Sequence, residues 1–224
     1  GVVLPETARE TPTQRSEKDN LISILQKSWA AYHRFLLQSP DAINARKYLE
    51  NRGFGPEEIK RYGLGYAPDQ WDFIIKEINV PMAQLLQAGL VVQNESASRC
   101  YDRFRNRIMF PIRENRRGDV VAFGGRTLGD DPAKYINSPE SPVYNKSRIL
   151  YGLYEANKAI RSAREVILVE GYFDRLALDR FGIHNAVAPC GTSLTDQQVR
   201  LIKRSAQTLF LFFDADNAGV SAAK

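Results

Sequence analysis

Soft metal ligands and long apolar runs are both scarce in this chain of 224 residues. Cys100, Cys190, His33 and His184 are its only cysteines and histidines, and they form no CxxC pair and no zinc-site spacing. Cys190 and His184 read as packing residues. No apolar stretch approaches the roughly 20 residues needed to cross a bilayer, and no basic-then-apolar opening reads as a signal peptide. Internal repeats and low-complexity tracts are missing as well. Together these absences predict a cytoplasmic protein with no membrane partner. What is present is ordinary for a globular chain, 43% hydrophobic and 25% charged residues, enough core for one large domain or two small ones.

The net charge of +5 is unevenly placed. Residues 99–148 hold eleven Lys and Arg against six Asp and Glu, an excess equal to that of the whole chain. So concentrated a basic segment predicts a polyanion partner. Arg126, straight after Gly124-Gly125, is expected to line a phosphate-holding groove with Lys134 and Lys146, and Arg105 and Arg107 are further candidates. The alternative for each is a solvated surface charge. Tyr101, Phe104 and Tyr135 read first as core residues and second as platforms for unpaired bases.

Residues 1–18 are poor in apolar side chains and read as a flexible linker; without an initiator Met, the chain is expected to be a fragment. From Asp19 to Gln38, Leu21, Leu25, Trp29, Tyr32 and Leu36 recur at helical steps. A second helix is predicted from Pro40 towards Gly53, and a third from Pro56 to Gly63, with Pro in its first turn and Gly past its end. Short helices are expected near residues 69–77 and 81–88. Leu90-Val91-Val92, Arg107 to Ile112 and Val120 to Gly124 read as strands, the last two joined by a hairpin at Arg116-Arg117-Gly118-Asp119. Gly124-Gly125 suggests backbone held close to another chain or ligand. Helical pattern returns over residues 145–164.

The stretch from Val166 to Gly219 organises the rest. Three apolar runs, at residues 166–169, 185–188 and 209–213, alternate with helical patterns, which predicts a parallel sheet covered by helices. Glu170 follows the first run, and Asp214 and Asp216 follow the third, at the strand ends where open α/β sheets carry their chemistry. Adjacent strands lie roughly 4.8 Å apart, so these carboxylates can share one volume. Three carboxylates together repel, and hard divalent ions such as Mg²⁺ or Mn²⁺ relieve the repulsion. Helix N-capping is the plain alternative for any one of them. Asp174, one turn beyond Glu170, either reaches the same pocket or stays a surface acid. Gly191-Thr192-Ser193 is a phosphate-facing helix start or a turn plus N-cap.

Glu170-Gly171-Tyr172-Phe173-Asp174 and Asp214-Ala215-Asp216-Asn217-Ala218-Gly219 resemble the two acidic motifs of the Toprim fold, and more closely those of bacterial DnaG-type primases. The blocks at residues 101–112, 122–126, 134–140 and 146–152 resemble the same family in the same order. The resemblance implies an α/β (α+β) fold: a linker over residues 1–18, a mostly helical and mixed N-terminal subdomain over 19–164, and part of a Toprim domain from 165 onwards. It implies a nucleotidyltransferase that makes short RNA primers on single-stranded DNA from ribonucleoside triphosphates, by two-metal transfer with Mg²⁺ or Mn²⁺ on Glu170, Asp214 and Asp216. Arg126, Lys134 and Lys146 match the family's basic groove, and Gly171 and Asn137 are additional candidates inside the matched blocks. Zinc is implied only for a family N-terminal domain, and a replicative helicase partner only through a C-terminal domain, both outside this chain. With the chain stopping at Lys224, the fragment alone is expected to polymerise poorly. The rivals are another Toprim enzyme, such as a topoisomerase or nuclease, a non-catalytic nucleic-acid-binding module and, remotely, a phosphoacceptor domain.

Overall fold

The computed structural model describes residues 11–94, 99–191 and 193–213. Helix α1 (Pro12–Gln38) starts seven residues earlier than the apolar periodicity suggests. The Thr11 side chain accepts from the Gln14 amide while the Gln14 side chain accepts from the Thr11 amide, and Pro12 sits in the first turn. That capping box carries the helix into residues read as linker. Helix α1 buries Leu21, Ile24, Leu25, Tyr32 and Leu36.

The expected second helix is split into a single 3₁₀ turn at Pro40–Ala42 and α2 (Ile43–Asn51). Helix α3 (Pro56–Tyr62) stops where foreseen, with Gly63 left-handed at φ 62°. Two short helices follow β1 (Gly65–Ala67): α4 (Phe73–Glu77) and α5 (Met82–Gln87). Asp102 caps α4 from a distance, accepting from the amides of Ile74 (2.6 Å) and Ile75 (3.3 Å).

Strands β2 (Val91–Asn94) and β3 (Arg99–Asp102) form an antiparallel pair. A second, four-stranded sheet has the order β1-β4-β5-β6, with β4 (Arg107–Arg113), β5 (Val120–Thr127) and β6 (Tyr135–Asn137) all antiparallel. Pro111 is tolerated in β4 because β1 pairs only with Arg107 to Met109, so no neighbouring strand asks for the missing N–H on that edge. Gly124 and Gly125 do lie under close neighbours, but these belong to the protein. A Cβ on Gly124 would overlap the Tyr172 ring, and one on Gly125 would come within 2.8 Å of Phe104.

Helix α6 (Leu153–Ala163) leads into a parallel sheet of order β8-β7-β9, built from β7 (Glu165–Val169), β8 (Ala186–Val187) and β9 (Thr208–Phe212). Helices α7 (Tyr172–Arg180) and α8 (Asp196–Lys203) are its connections. Alternation along β7 splits the packing. Val166 and Leu168 join α6 and α8 in one cluster, while Val169 joins Phe173 and Leu176 of α7 in the core shared with the antiparallel sheet. Helix α7 is thus the hinge-piece between the two sheets. Its Asp179 accepts from Arg61 (2.7 Å) and Tyr62 (3.0 Å) of α3, and its Arg180 donates to the Gly53 carbonyl (2.6 Å).

Candidate active-site cleft

Strand β7 ends at Val169, and the chain turns at Glu170-Gly171 into α7. The Asp174 carboxylate accepts from the Gly171 amide at 3.0 Å, which completes the first turn and fixes how the chain leaves the strand. Glu170 is left exposed at the rim. Strand β9 is the parallel neighbour of β7, with Val169 opposite Phe212. Phe213 is the last described residue of that run, and Asp214 and Asp216 lie outside the described residues. The adjacency on which the shared-pocket expectation depends is therefore present up to Phe212, two residues before Asp214.

Glu170, Gly171 and Asp174 line one side of a cleft of about 500 Å³. Arg52, Arg126, Lys134 and Asn137 line it too, so the fold gathers residues from positions as far apart in sequence as Arg52 and Asp174. Arg126, on β5, lies with its guanidinium 4.7 Å from the Tyr48 ring centre and 5.9 Å from that of Tyr135, and it donates to the Thr127 carbonyl at 2.6 Å. Arg52 was missed from the sequence. Its guanidinium lies 5.0 Å from the same Tyr48 ring and 4.8 Å from Phe173. Two guanidinium groups thus share one tyrosine, a positive pair with no carboxylate partner at either head among the described residues. Tyr135, 41% exposed, also lines the cleft, whereas Phe104 is core.

Three expected cations are placed elsewhere. Lys146 begins a 3₁₀ turn (Lys146–Arg148) beside α8 and does not line the cleft. Arg107 is a correction: its side chain is 3% exposed and is spent on Asp131 and on the carbonyls of Gly125 and Ala133. Its position in β4 points it into the 129–134 loop, which it holds in shape. Arg105 stacks 4.3 Å over Trp71 and 5.0 Å over Tyr101 on a separate surface. Trp71, 65% exposed, is the second residue the sequence did not single out. A lone Trp between turns carries no periodic signal, and only its neighbours reveal it.

Tyr172 lines the cleft, and Cys190 lies fully buried between two other lining residues, Pro189 and Gly191. Burial pushes the Cys190 thiol up to about 11. It is an inert packing group, as read. His184 instead joins the Asp179 cluster, its Nδ1 2.9 Å from the carboxylate. Among the described residues no three His, Cys, Asp or Glu side chains form a metal-holding group. The donors the cleft does offer are carboxylate oxygens, with no thiolate or imidazole lining it, a set suited to a hard cation.

Comparison with known proteins adds to this geometry. The family model for the N-terminal domain of the DNA primase catalytic core matches residues 32–157. The chain belongs to that family. A Toprim domain matches residues 164–224. The DNA primase of Halalkalibacterium halodurans is 45% identical over 224 residues, covering 99% of this chain and 37% of the relative. That of Escherichia coli K12 is 42% identical over 225 residues, covering 98% and 38%. The chain therefore spans little more than a third of those primases. Among solved structures, a DNA primase domain from Pseudomonas aeruginosa superposes with a TM-score of 0.86 at 43% identity, covering 91% of this chain and 64% of that one. A DnaG primase catalytic domain bound to single-stranded DNA gives 0.84 at 42% identity, covering 95% and 66%. The predicted α/β architecture with its parallel sheet agrees with these catalytic-core structures.

Proposed function

We propose that this chain is the catalytic part of a DNA primase, joining ribonucleoside triphosphates into a short RNA primer on a single-stranded DNA template. One observation carries the reading: Glu170, at the end of a parallel strand, shares a cleft with Arg52, Arg126 and Lys134. Glu170 is proposed to act with Asp214 and Asp216 in holding Mg²⁺ or Mn²⁺, since β7 and β9 are neighbours up to Phe212, two residues before Asp214. A divalent cation there would neutralise the carboxylates and the charge that develops on the transferring phosphoryl group.

The chain's own part is positioning. Arg52 and Arg126 present guanidinium groups suited to bidentate phosphate contact, and Lys134 adds a mobile charge. These cations hold the triphosphate against the rim that carries Glu170, so most of the rate gain is orientational. Arg105, stacked on Trp71 and Tyr101, suits the template strand, because exposed rings beside a cation bind unpaired bases and backbone together. That a related catalytic domain has been solved with single-stranded DNA supports this assignment.

Primer synthesis on single-stranded DNA with Mg²⁺ or Mn²⁺, measured in the full-length protein, is the test. Glu170→Gln is expected to lower it by about 10²–10³-fold with the fold intact, because the side chain is exposed at a strand end. RNA synthesis at the parent rate in that variant would reject the assignment.

A further inference from the structure

We propose that Tyr172 and Asn137 form a strut that sets the width of the cleft, fixing the sheet that carries Arg126 relative to the strand end that carries Glu170. Both are positioning residues, and the inference rests on the primase reading of that cleft. Tyr172 opens α7, two residues after Glu170. Asn137 closes β6, where it pairs with Gly124, two residues before Arg126 on β5. The Tyr172 hydroxyl donates to Asn137 Oδ1 at 2.6 Å, and Asn137 Nδ2 donates to the Cys190 carbonyl at 3.1 Å. One amide side chain therefore ties together β6, the start of α7 and the loop after β8.

The strut has no room to shift. The Tyr172 ring stacks on Phe110 (5.0 Å between centres) and meets Tyr151 edge-on (4.6 Å). Beneath it is Gly124, where any Cβ would overlap the ring. At the other end is Gly191, left-handed at φ 75°, where a Cβ would overlap Asn137 Nδ2. Both glycines are thus required by the close approach, Gly191 by its backbone conformation as well. A ring locked on three sides, with its donor spent on an amide locked on two, transmits the position of one sheet to the other. Misplacement by about 1 Å at a reacting centre costs on the order of 10²-fold in rate.

Tyr172→Phe in the full-length protein keeps the ring and removes only the donor. Expected is a fall in kcat for RNA synthesis of roughly 10- to 100-fold, with KM for ribonucleoside triphosphates changed by less than about threefold and Mn²⁺ affinity unchanged, as uniform binding is kept while geometry is lost. The thermal midpoint should move by only about 2–4 °C. Gly124→Ala, which pushes the same ring, should give the same split, and combining it with Tyr172→Phe should add little. If Gly124→Ala does not fold, Tyr172→Phe decides alone. An active parent whose Tyr172→Phe variant keeps its kcat overturns the strut. A parent that makes no RNA under any divalent ion overturns the primase reading and the strut with it.

Discussion

Arg52 and Arg126 reach the cleft lying across aromatic rings, whereas Arg107, a neighbour of Arg126 in the same sheet, is buried against Asp131 and backbone carbonyls. The three guanidinium groups look alike in sequence and end in opposite states. A ring orients a cation without neutralising it, so Arg52 and Arg126 keep their charge, which the proposed function would use on phosphate. A carboxylate and a set of carbonyls satisfy the cation, so Arg107 becomes scaffold. Glu170, by contrast with all three, is placed at the cleft by strand register and the turn that Asp174 closes. The site thus divides into cations held by side-chain shelves and an acid held by the backbone.

The joint between these parts gives the largest expected effect. Asp179 serves Arg61, Tyr62 and His184 at once and faces Arg175, whose side chain is 4% exposed. Asp179→Ala leaves that buried cation uncompensated and should cost about 3–5 kcal/mol in urea unfolding. Burial alone would raise the Asp179 pKa, but the His184 hydrogen bond, the Arg175 charge, the Tyr62 hydrogen bond and the Arg61 charge together hold it below its usual value. Its stabilisation is therefore present above the unfolded value of about 3.9 and is lost as pH falls through the folded one, so the cost of the variant should shrink in acid.

Asp102 carries the opposite sign. Burial pushes its pKa up to about 6, opposed by the amides of Ile74 and Ile75. The folded state then holds the proton more tightly, so its contribution is full below about pH 4 and is lost as pH rises through about 6. The total is up to about 3 kcal/mol by the linkage relation. Asp102→Asn should flatten the stability profile across that window, again read by urea unfolding. A profile that falls towards acid in the same window would show that the two aspartates do not differ as their surroundings require. The smallest effect belongs to the shelf itself. Arg126→Glu should weaken single-stranded DNA binding by roughly tenfold at moderate salt and make the slope of log K against log salt shallower by about 1. An unchanged slope would put Arg126 with Arg107 among the scaffold.

Much of this layout is legible in the sequence. Pro56 and Gly63 bracket α3 as they stand, and the apolar runs before Glu170 and Asp214 fall on neighbouring parallel strands. What escaped were short edge elements. Strands β1 and β6 are three residues each, too short for alternation to register, yet β6 supplies Asn137. The start of α1 was hidden because its first turn depends on polar caps rather than apolar periodicity. Arg107 was expected in the groove and Arg52 was passed over, each for its own reason. In β4 and β5 nearly every residue is buried, so alternation does not say which face a cation takes, and Arg52 meets its rings only through the packing of α2 on α7.

The most direct measurement is site-resolved broadening of amide resonances by Mn²⁺, at substoichiometric metal. Broadening is expected at Gly171, Asn137 and Gly191, which line the cleft with Glu170, with none at Trp71, and Glu170→Gln should abolish it. Broadening that spares those three residues, or that persists in the variant, would contradict a cation site on the rim facing Arg52 and Arg126.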